Sequence, residues 1–365
     1  MAYRRFVKGV QAVLVIALLM LGLVGVADAR TSRGDSVVAD AAAVSFLSHY
    51  ALPSGRIDRR DQGGDTVSAG QAYGMLMTVA LGDRRRFALI WGWTRAHLMR
   101  REGLLASHWR GGHVVDQKSA SDADLDAARA LVLAGKRFRL PTYRQEGVAM
   151  ARAILAHETE QLGHSLVLLA GSWARKPAVV DPGYWAPRTF ELLAAATKDR
   201  RFARLVQGAV SLARDLTAAA PHLPPDWATV SRSGLPTPLA GPPGPNHEAT
   251  ARYSLDAARL PLHFAEACDA RSKQTSAAIW PFFSGQSPNQ IGFAYSLAGQ
   301  LLAPQQTPVV LVGAAAAAHA AGQTAAKALL AQAQAINSRF PTYFGSAWIA
   351  LGRLELQTTL LGSCS

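Results

Sequence analysis

Two residues in the second half of the chain have the types and spacing that hydrolytic chemistry needs. In the stretch RYSLDAARLPLHF, Asp256 and Arg259 lie three residues apart at the start of a predicted helix. Side chains at this spacing are neighbours on a helix, so Arg259 can hold Asp256 ionised and oriented. The alternative is an ordinary surface ion pair, which is the simpler interpretation of this stretch taken alone.

A second acidic stretch, SASDADLDAARALVLAGKRF, places Asp122 and Asp124 in the first turn of a predicted amphipathic helix. Ser121 is a suitable N-cap residue, and acidic groups in a first turn suit the helix dipole. A well-capped structural helix therefore explains this stretch, and two first-turn aspartates alone do not identify a site.

A third stretch, DTVSAGQAYGMLMTVALGD, covers residues 65–83 and begins another predicted helix. The residue between Ser68 and Gly70 is Ala69, whose methyl group can neither donate nor accept a proton. The nearest carboxyl group upstream belongs to Asp65, which we expect in the preceding turn.

The elements that must position these residues are predicted to be almost entirely helical. Apolar residues recur at helical spacing, and strict period-two alternation is nearly absent. The predicted helices lie near residues 37–49, 68–81, 84–99, 121–136, 142–157, 187–198, 200–218, 255–268, 273–283, 292–302, 308–320, 323–337 and 343–361. The proline- and glycine-rich stretch from Gly234 to Glu248 is interpreted as a long loop on the binding face of one domain, with a domain linker as the alternative.

The first 29 residues have the pattern of a secretory signal peptide. A basic start precedes the apolar run from Ala12 to Val26, and a small-residue site ends at Ala29. An uncleaved N-terminal anchor is the alternative, and it would be the membrane contact of the protein. Residues 30–365 are therefore predicted to form one exported domain, secreted or periplasmic.

The formal net charge of the whole chain is +13. Removal of residues 1–29 takes away three basic residues and one acidic residue and leaves about +11. Because the arginines are scattered along the helices rather than clustered, we expect no nucleic-acid partner. A basic surface facing an anionic envelope or polysaccharide is the better interpretation.

Two cysteines, Cys268 and Cys364, remain after export. In an oxidising compartment they could form a disulfide that ties the C-terminal tail to the domain, although the sequence does not supply their distance. Cysteines and histidines do not occur with metal-ligand spacing, so neither a metal nor another cofactor is predicted.

Taken together and in this order, the three stretches resemble the motifs of glycoside hydrolase family 8. Their shared patterns are SxGQAYGM, ASDADxD and DAxRxP, and WGWTRAHL, VDPGYW, LPPDWATV and RFPTYFGSAWIALGRL are similar to further family segments. The resemblance covers nearly the whole chain after residue 29. The family contains bacterial endoglucanases, including secreted cellulases that accompany cellulose synthesis.

The resemblance implies an (α/α)6 toroid of six inner and six outer helices, with a cleft across the N-termini of the inner helices. Family members hydrolyse β-1,4 linkages with inversion, which needs one acid and one base on opposite faces of the sugar. By this resemblance Asp256 is the general base, Arg259 orients it, and Asp122 binds the sugar at the cleavage point. Asp124 is also predicted as a substrate-binding residue, and its role is to support the helix start that carries Asp122.

Five aromatic side chains are candidates for flat surfaces against pyranose rings, with core packing as the alternative for each. They are Tyr73, Trp91, Trp109, Tyr184 and Trp185.

At the reaction centre the chain departs from the family pattern at two positions. The family has a glutamate, the proton donor, at position 69, and a tyrosine immediately before the base, where this chain has Ala69 and Leu255. Tyr253 lies two positions before Leu255. The resemblance thus implies a β-1,4-glucan hydrolase of weak or absent activity, with a catalytically silent glucan-binding accessory protein of polysaccharide synthesis or export as the alternative. The cellulose synthesis machinery is a candidate partner.

Overall fold

The structure is a computed structural model that describes residues 34–242, 249–362 and 364. The predicted signal peptide lies outside the described residues. Within them no helix is long and apolar enough to cross a membrane. The helices are α1 (34–50), α2 (Ser68–Leu81), α3 (Arg84–His97), α4 (Ser121–Arg137), α5 (Pro141–His157), α6 (Pro187–Thr197), α7 (Arg201–Leu216), α8 (Leu260–Ala265), α9 (Ala270–Ala277), α10 (Trp280–Ser284), α11 (Pro308–Ala320), α12 (Ala325–Arg339) and α13 (Tyr343–Gln357).

Six of these helices form a closed inner ring. Each of α2, α4, α6, α8, α11 and α13 contacts the next, and α13 contacts α2. Helix α11 shows why this position suits its sequence: every residue from Pro308 to Ala318 is buried, and a helix that is apolar on all sides is stable only when it is surrounded. Gly313 allows this closeness, since a Cβ atom there would lie 2.4 Å from the carbonyl oxygen of Ala258.

The other helices alternate with the inner ones along the chain and pack outside them. Helix α7, for example, buries Phe202, Leu205 and Leu212 on one face, while its basic residues remain exposed. One-sided burial is typical of a helix between a core and solvent. Together the two rings form the (α/α)6 toroid that the sequence resemblance implied.

The two ends of the toroid differ. The inner helices begin at one end, where Arg259 just before α8 bonds Asp122 at the start of α4. We call this the cleft end. The opposite end, which we call the far end, is made by the turns after α2, α4 and α6 and by the start of α1.

Short strands occupy the connections, although the sequence predicted them to be nearly absent. They are β1 (Thr66–Val67), β2 (His108–Arg110), β3 (His113–Asp116), β4 (Thr159–Leu162), β5 (Ser165–Leu168), β6 (Ala178–Val180), β7 (Trp227–Val230), β8 (Pro236–Leu239), β9 (Arg252–Tyr253), β10 (Ala294–Ser296) and β11 (Leu301–Ala303). They form small antiparallel sheets in the orders β1-β2-β3, β4-β5, β6-β7-β8 and β11-β10-β9. Runs of two to four residues are too short to show alternation in a sequence.

The predicted helix at residues 292–302 is wrong. This segment contains β10, a turn at Gly299 with a φ of +85°, and the start of β11. Gly292 lies so close to β11 that a Cβ atom would meet the carbonyl oxygen of Ala303 at 2.5 Å. The two glycines therefore outweigh the helical spacing of the apolar residues.

The long proline- and glycine-rich stretch begins in a sheet at the cleft end. Residues Pro236–Leu239 pair with β7, and Leu239 to Pro242 line the same pocket as Asp256. Residues 243–248 of the stretch lie outside the described residues. Its described part therefore packs at the rim of the cleft, where the loop interpretation placed it.

Cys268 and Cys364 form a disulfide that spans 96 residues of sequence. The same tail is also held by side-chain donors, because Arg129 Nη2 donates to the carbonyl of Leu361 at 2.8 Å and Arg188 Nε donates to that of Gly362 at 3.2 Å. The tail is thus held to the inner helices through one covalent and two polar contacts.

We predict that replacing both cysteines by serine lowers the free energy of unfolding by about 2–4 kcal/mol, because the unfolded chain loses a long closed loop. Denaturant unfolding of the oxidised protein and the double variant measures the difference. The reduced wild-type protein is the matched control and should unfold like the variant. Equal stability of the oxidised protein and the variant would contradict the prediction.

Candidate functional site

The centre of the cleft end is one arginine that holds three carboxylates. Arg259 Nη1 donates to Asp122 Oδ2 at 2.9 Å, and Nη2 donates to Asp181 Oδ2 at 2.8 Å and to Asp256 Oδ1 at 2.7 Å. The predicted pair of Asp256 and Arg259 therefore exists, but it is not a surface ion pair. It is part of a cluster that joins residues 122, 181 and 256.

Burial differs sharply across this cluster. The side chains of Arg259 and Asp181 are 4% and 0% exposed, and that of Asp122 is 11% exposed. The side chain of Asp256 is 34% exposed, so it is the carboxylate of the three that solvent reaches most easily. Of the three carboxylates, Asp256 is therefore the most accessible from the cleft.

The opposite charges of the cluster stabilise one another's ionised forms against the effect of burial. Burial disfavours the charged form of Arg259, but the carboxylates of Asp181, Asp256 and Asp122 outweigh burial and raise its pKa well above the usual value. Burial likewise raises the pKa of Asp122, and the adjacent guanidinium opposes that rise. The cluster is thus held together by charges that would be costly to bury singly.

A buried carboxylate, Asp226, fixes the backbone that carries Asp256. Its Oδ1 accepts hydrogen bonds from the backbone N–H groups of Ser254 at 2.8 Å and Ala257 at 2.9 Å. The hydroxyl of Ser254 donates to Oδ2. Burial, reinforced by the charge of Asp256, raises the pKa of Asp226 to about 6. Asp226 therefore positions the turn in which Asp256 lies.

Close packing fixes the same turn from the other side. A Cβ atom on Gly183 would lie 2.0 Å from the carbonyl oxygen of Asp256, so no larger residue fits there. Asp181 Oδ1 accepts the backbone N–H of Gly183 at 2.7 Å. One carboxylate thus holds both the glycine turn and Arg259.

Two aromatic side chains surround Asp256 and Arg259. Trp227 Nε1 donates to Asp256 Oδ2 at 3.1 Å, and the guanidinium of Arg259 lies 4.7 Å from the centre of the Tyr184 ring. The two rings meet edge to face at 6.2 Å. Both are half-buried, so each has a face that an entering ligand can reach.

A pocket of about 250 Å³ opens beside Asp256. Its wall combines carboxylates, an indole and two phenyl rings with backbone from the long loop; the lining includes Asp226, Trp227, Leu255, Asp256, Phe293 and Phe344. Apolar flat surfaces with a few directed polar groups suit a neutral, hydroxyl-rich ligand.

Position 69 lies at the start of α2, where Ala69 is the second helical residue and is half-buried. Tyr73, one turn further on, meets Trp348 edge to face at 5.9 Å, and Trp348 lies 5.8 Å from the guanidinium of Arg259. The start of α2 is therefore connected through two rings to the arginine cluster.

Asp65 is committed to a separate ion-pair group. Its Oδ1 and Oδ2 accept from Arg59 Nε and Nη2 at 2.7 Å each, and His108 Nε2 lies 2.6 Å from Oδ2. Burial alone would raise the pKa of Asp65, but the bonds from Arg59 and His108 lower it below the usual value. A carboxyl group held in this way is poorly suited to donate a proton.

Asp122 and Asp124 point in different directions although they share one helical turn. Asp124 is fully buried, and its Oδ1 accepts the backbone N–H of Leu105 at 2.8 Å. This placement agrees with support of the helix start and not with contact to a substrate. Ser121 is the first helical residue rather than the N-cap, and its hydroxyl donates to the carbonyl of Leu169 at 2.6 Å.

A second buried carboxyl group lies against Asp124. Glu158 is fully buried and its Oε1 accepts the hydroxyl of Ser119 at 2.6 Å. Glu158 Oε2 and Asp124 Oδ2 have no other partner, and the two groups interact. Burial raises the pKa of Glu158 to about 8 and that of Asp124 well above the usual value. Burial is the largest cause of both shifts, and repulsion from the carboxylate of Glu158 raises the pKa of Asp124 further.

The predicted aromatic residues divide into two groups. Trp109 and Tyr184 are half-buried at the cleft end, and Trp109 carries the guanidinium of Arg56 at 5.1 Å from its ring centre. Tyr73, Trp91 and Trp185 are at most 4% exposed. The placement of these three fits core packing, the alternative interpretation, rather than sugar stacking.

Core contacts account for the buried indoles. Trp91 Nε1 donates to Glu146 at 2.8 Å, and Trp185 Nε1 donates to the carbonyl of Leu168 at 3.3 Å. Tyr253 is also fully buried and packs on Phe283, so its hydroxyl does not replace a tyrosine at position 255. Leu255 itself is half-buried in the wall of the Asp256 pocket.

Asp181, Asp226 and Trp227 were not predicted as site residues. Each lies in one of the quoted stretches VDPGYW and LPPDWATV, but 28 or more positions from its partner in the segment from Ser254 to Arg259. The sequence signal that could have identified Asp181 and Asp226 is an acidic residue beside a turn that contains proline or glycine. Within the part of the chain that the structure describes, no group of three or more His, Cys, Asp and Glu residues is arranged to hold a metal ion.

Comparison with known proteins identifies the family. A sequence model of glycosyl hydrolases family 8 matches residues 29–357. The chain therefore belongs to this family, as the order of its motifs indicated.

Individual relatives agree with this assignment. A probable endoglucanase of Novacetimonas hansenii is 34% identical over 229 residues, which cover 60% of this chain and 64% of that protein. The chain spans less than two thirds of the length of the curated relatives that it matches first.

Solved structures share the fold. The endo-β-1,4-glucanase CMCax of Acetobacter xylinum is 27% identical, with a TM-score of 0.74 over 87% of this chain and 98% of that chain. A β-1,3-1,4-glucanase of Paenibacillus sp. X4 is 19% identical and has a TM-score of 0.79 over 89% and 92% of the two chains. At that identity the likeness shows the fold alone.

We predict that Glu158→Gln makes protein stability less dependent on pH between about pH 4.5 and pH 8. Because the folded-state pKa of Glu158 is raised to about 8, its contribution to stability is fully present below the usual glutamate pKa and is lost as the pH rises through 8. Denaturant unfolding at several pH values measures this dependence.

The wild-type protein should lose stability across that window, and the variant should lose less. Asp226 and Asp126, whose pKa values burial raises to about 6 and about 7, keep some dependence in both proteins. Glu160→Gln, at a more exposed position on β4, is the matched control. Identical pH profiles for wild-type protein and Glu158→Gln would contradict the prediction.

Proposed function

We propose that this family 8 chain binds β-1,4-glucan and retains the base half of an inverting hydrolysis, while the acid half is missing. The observation that carries the proposal is the arrangement of Asp256. Its two oxygens are held by Arg259 at 2.7 Å and Trp227 at 3.1 Å, yet its side chain remains 34% exposed.

The geometry around Asp256 supports a role as general base. A base must be ionised, oriented and accessible to the water that it deprotonates. Trp227 and Arg259 together limit rotation of the carboxylate, and the adjacent pocket admits solvent. Asp122, at the same arginine, is placed to accept a hydrogen bond from a sugar hydroxyl.

The missing half of the mechanism lies at position 69. Family resemblance assigns a proton-donating glutamate to this position, and Ala69 has no proton to donate. Without that proton the departing sugar must leave as an alkoxide, and loss of a general acid lowers the rate by about 10²–10⁴. Asp65 offers no replacement, because Arg59 and His108 hold it ionised.

The substrate class follows from the lining of the cleft and from the relatives. Trp227, Tyr184 and Phe344 present partly open rings, which suit the apolar faces of pyranose units. The proteins named endoglucanase in the comparison act on such chains, and we assign the same class of substrate here. Export to the periplasm or beyond, close to cellulose synthesis, fits the predicted signal peptide and is part of this proposal.

We predict that the protein hydrolyses β-cellobiosyl fluoride but not cellohexaose. Fluoride leaves with the bonding electrons and needs no proton from an acid, so Asp256 has only to take a proton from the attacking water. The products are the α-anomer of cellobiose and fluoride, with the proton passed from Asp256 to solvent. A fluoride electrode measures the reaction, and calorimetry measures cellohexaose binding separately.

Asp256→Asn should abolish fluoride release and leave cellohexaose binding within a few fold of the wild-type value. Asp199→Asn, which removes a far-end carboxylate paired with Arg201, is the matched control and should change neither. Absence of fluoride release by a wild-type protein that binds cellohexaose would contradict the base assignment and leave a glucan-binding protein. Absence of both would contradict the whole proposal.

A further inference from the structure

The far end of the toroid gathers basic residues that are dispersed in the sequence. Seven arginines and lysines in the turns after α2, α4 and α6, or on the helix ends that flank these turns, are exposed and have no ion-pair partner within the described residues. They are Arg84, Arg85, Lys136, Arg137, Arg139, Lys198 and Arg200. We call these seven residues the far-end patch.

Contacts between neighbouring turns show that the patch is one surface. A Cβ atom on Gly82, in the turn after α2, would lie 3.1 Å from Arg137 Nη2, in the turn after α4. Arg144 at the start of α5 donates to the carbonyl of Ala196 near the end of α6, at 2.9 Å. The three turns therefore lie side by side.

Acidic residues do not neutralise this surface. Asp83 lies 3.7 Å from Arg86 and Asp199 lies 2.7 Å from Arg201, so the acidic residues beside the patch are already paired with other arginines. The carboxylates around Arg259 lie at the cleft end. The seven cations of the far-end patch therefore have no neighbouring free carboxylate among the acidic residues of these turns.

The chain enters the domain at this same end. The first described residue is 34, in α1, and Asp35 contacts Gln357 at the end of α13 at 3.5 Å and Lys327 near the start of α12 at 3.4 Å. In the sequence, the basic start and the apolar run Ala12 to Val26 precede this point. The far end is therefore the end of the domain from which the chain leads back to that run.

We propose that the far-end patch is a docking surface for a bilayer that contains anionic phospholipid. Clustered arginine and lysine side chains bind such a surface through its negative potential, and the attraction acts within about one Debye length, roughly 10 Å at moderate salt. The entry point of the chain at the same end favours a membrane over a soluble polyanion. Docking in this orientation leaves the cleft open to a glucan chain on the side away from the lipid.

The test uses residues 30–365 and lipid vesicles. This part contains all described helices and strands, and 87% of the chain matches a solved relative over 98% of its length, so it folds without the N-terminal segment. Sedimentation is measured with vesicles of phosphatidylcholine alone and of phosphatidylcholine with phosphatidylglycerol, at low and high salt. Wild-type protein should bind the anionic vesicles at low salt and neither kind at high salt.

A far-end variant, Arg84→Gln with Arg85→Gln, Lys136→Gln and Arg200→Gln, should bind at least about tenfold more weakly, since each basic residue near the surface contributes on the order of a fivefold factor. The matched cleft-end variant removes four exposed cations that also lack an ion-pair partner in the described part of the chain. It combines Arg101→Gln, Lys176→Gln, Arg232→Gln and Arg339→Gln, and it should bind like wild-type protein.

Equal loss in both variants would show that net charge alone governs binding, and it would overturn the proposal. Equal binding to neutral vesicles, or no binding to either kind, would also overturn it. So would binding to a sulfated polysaccharide that the far-end variant loses while no vesicle binds, because the patch would then belong to a soluble polyanion. This test does not involve the cleft, so its result is independent of the proposed glucan chemistry.

Discussion

The structure depends on one buried cation. Arg259 is almost fully enclosed, and a guanidinium in that position is tolerated only because Asp122, Asp181 and Asp256 supply hydrogen bonds and opposite charge. These partners come from the start of α4, the glycine turn before α6 and the turn before α8. A single side chain therefore fixes the relative positions of three parts of the ring. Removing one of its partners would leave buried charge unpaired and lower the stability of the fold by about 3–5 kcal/mol.

Because Arg259 depends on its partners, the presence of Asp122 and Asp256 has a structural explanation as well as a catalytic one. Asp122 and Asp256 keep their places near the cleft because Arg259 requires them, whether or not a reaction follows. Ala69 and Leu255 carry no such structural duty, since one is half-buried at a helix start and the other half-buried in a pocket wall. The proposed base and the proposed loss of the acid are therefore compatible within one stable fold.

The sequence predicted what depends on local pattern. Helical spacing and motif order gave the toroid, Asp122, Asp256 and Arg259, but Asp181 and Asp226 act through contacts with residues 78 and 28–31 positions away, respectively. The helix predicted at 292–302 is wrong because two glycines favour a hairpin. The buried positions of Trp91 and Trp185 were not predicted, because the identity of an aromatic residue does not show whether its ring faces the core or the cleft. Arginines that are scattered in the sequence meet at the far end because alternate turns of a two-ring toroid share one end.

The measurement that tests the central claim most directly is reducing-sugar release from cellohexaose by wild-type protein and by Ala69→Glu. A cleft that lacks only its proton donor should be nearly silent as it stands and should gain at least about 10²-fold in rate with the glutamate. Adding Asp256→Asn to that variant should remove the gain. A wild-type protein that already cleaves cellohexaose as fast as Ala69→Glu would contradict the account, since another group would then be supplying the proton.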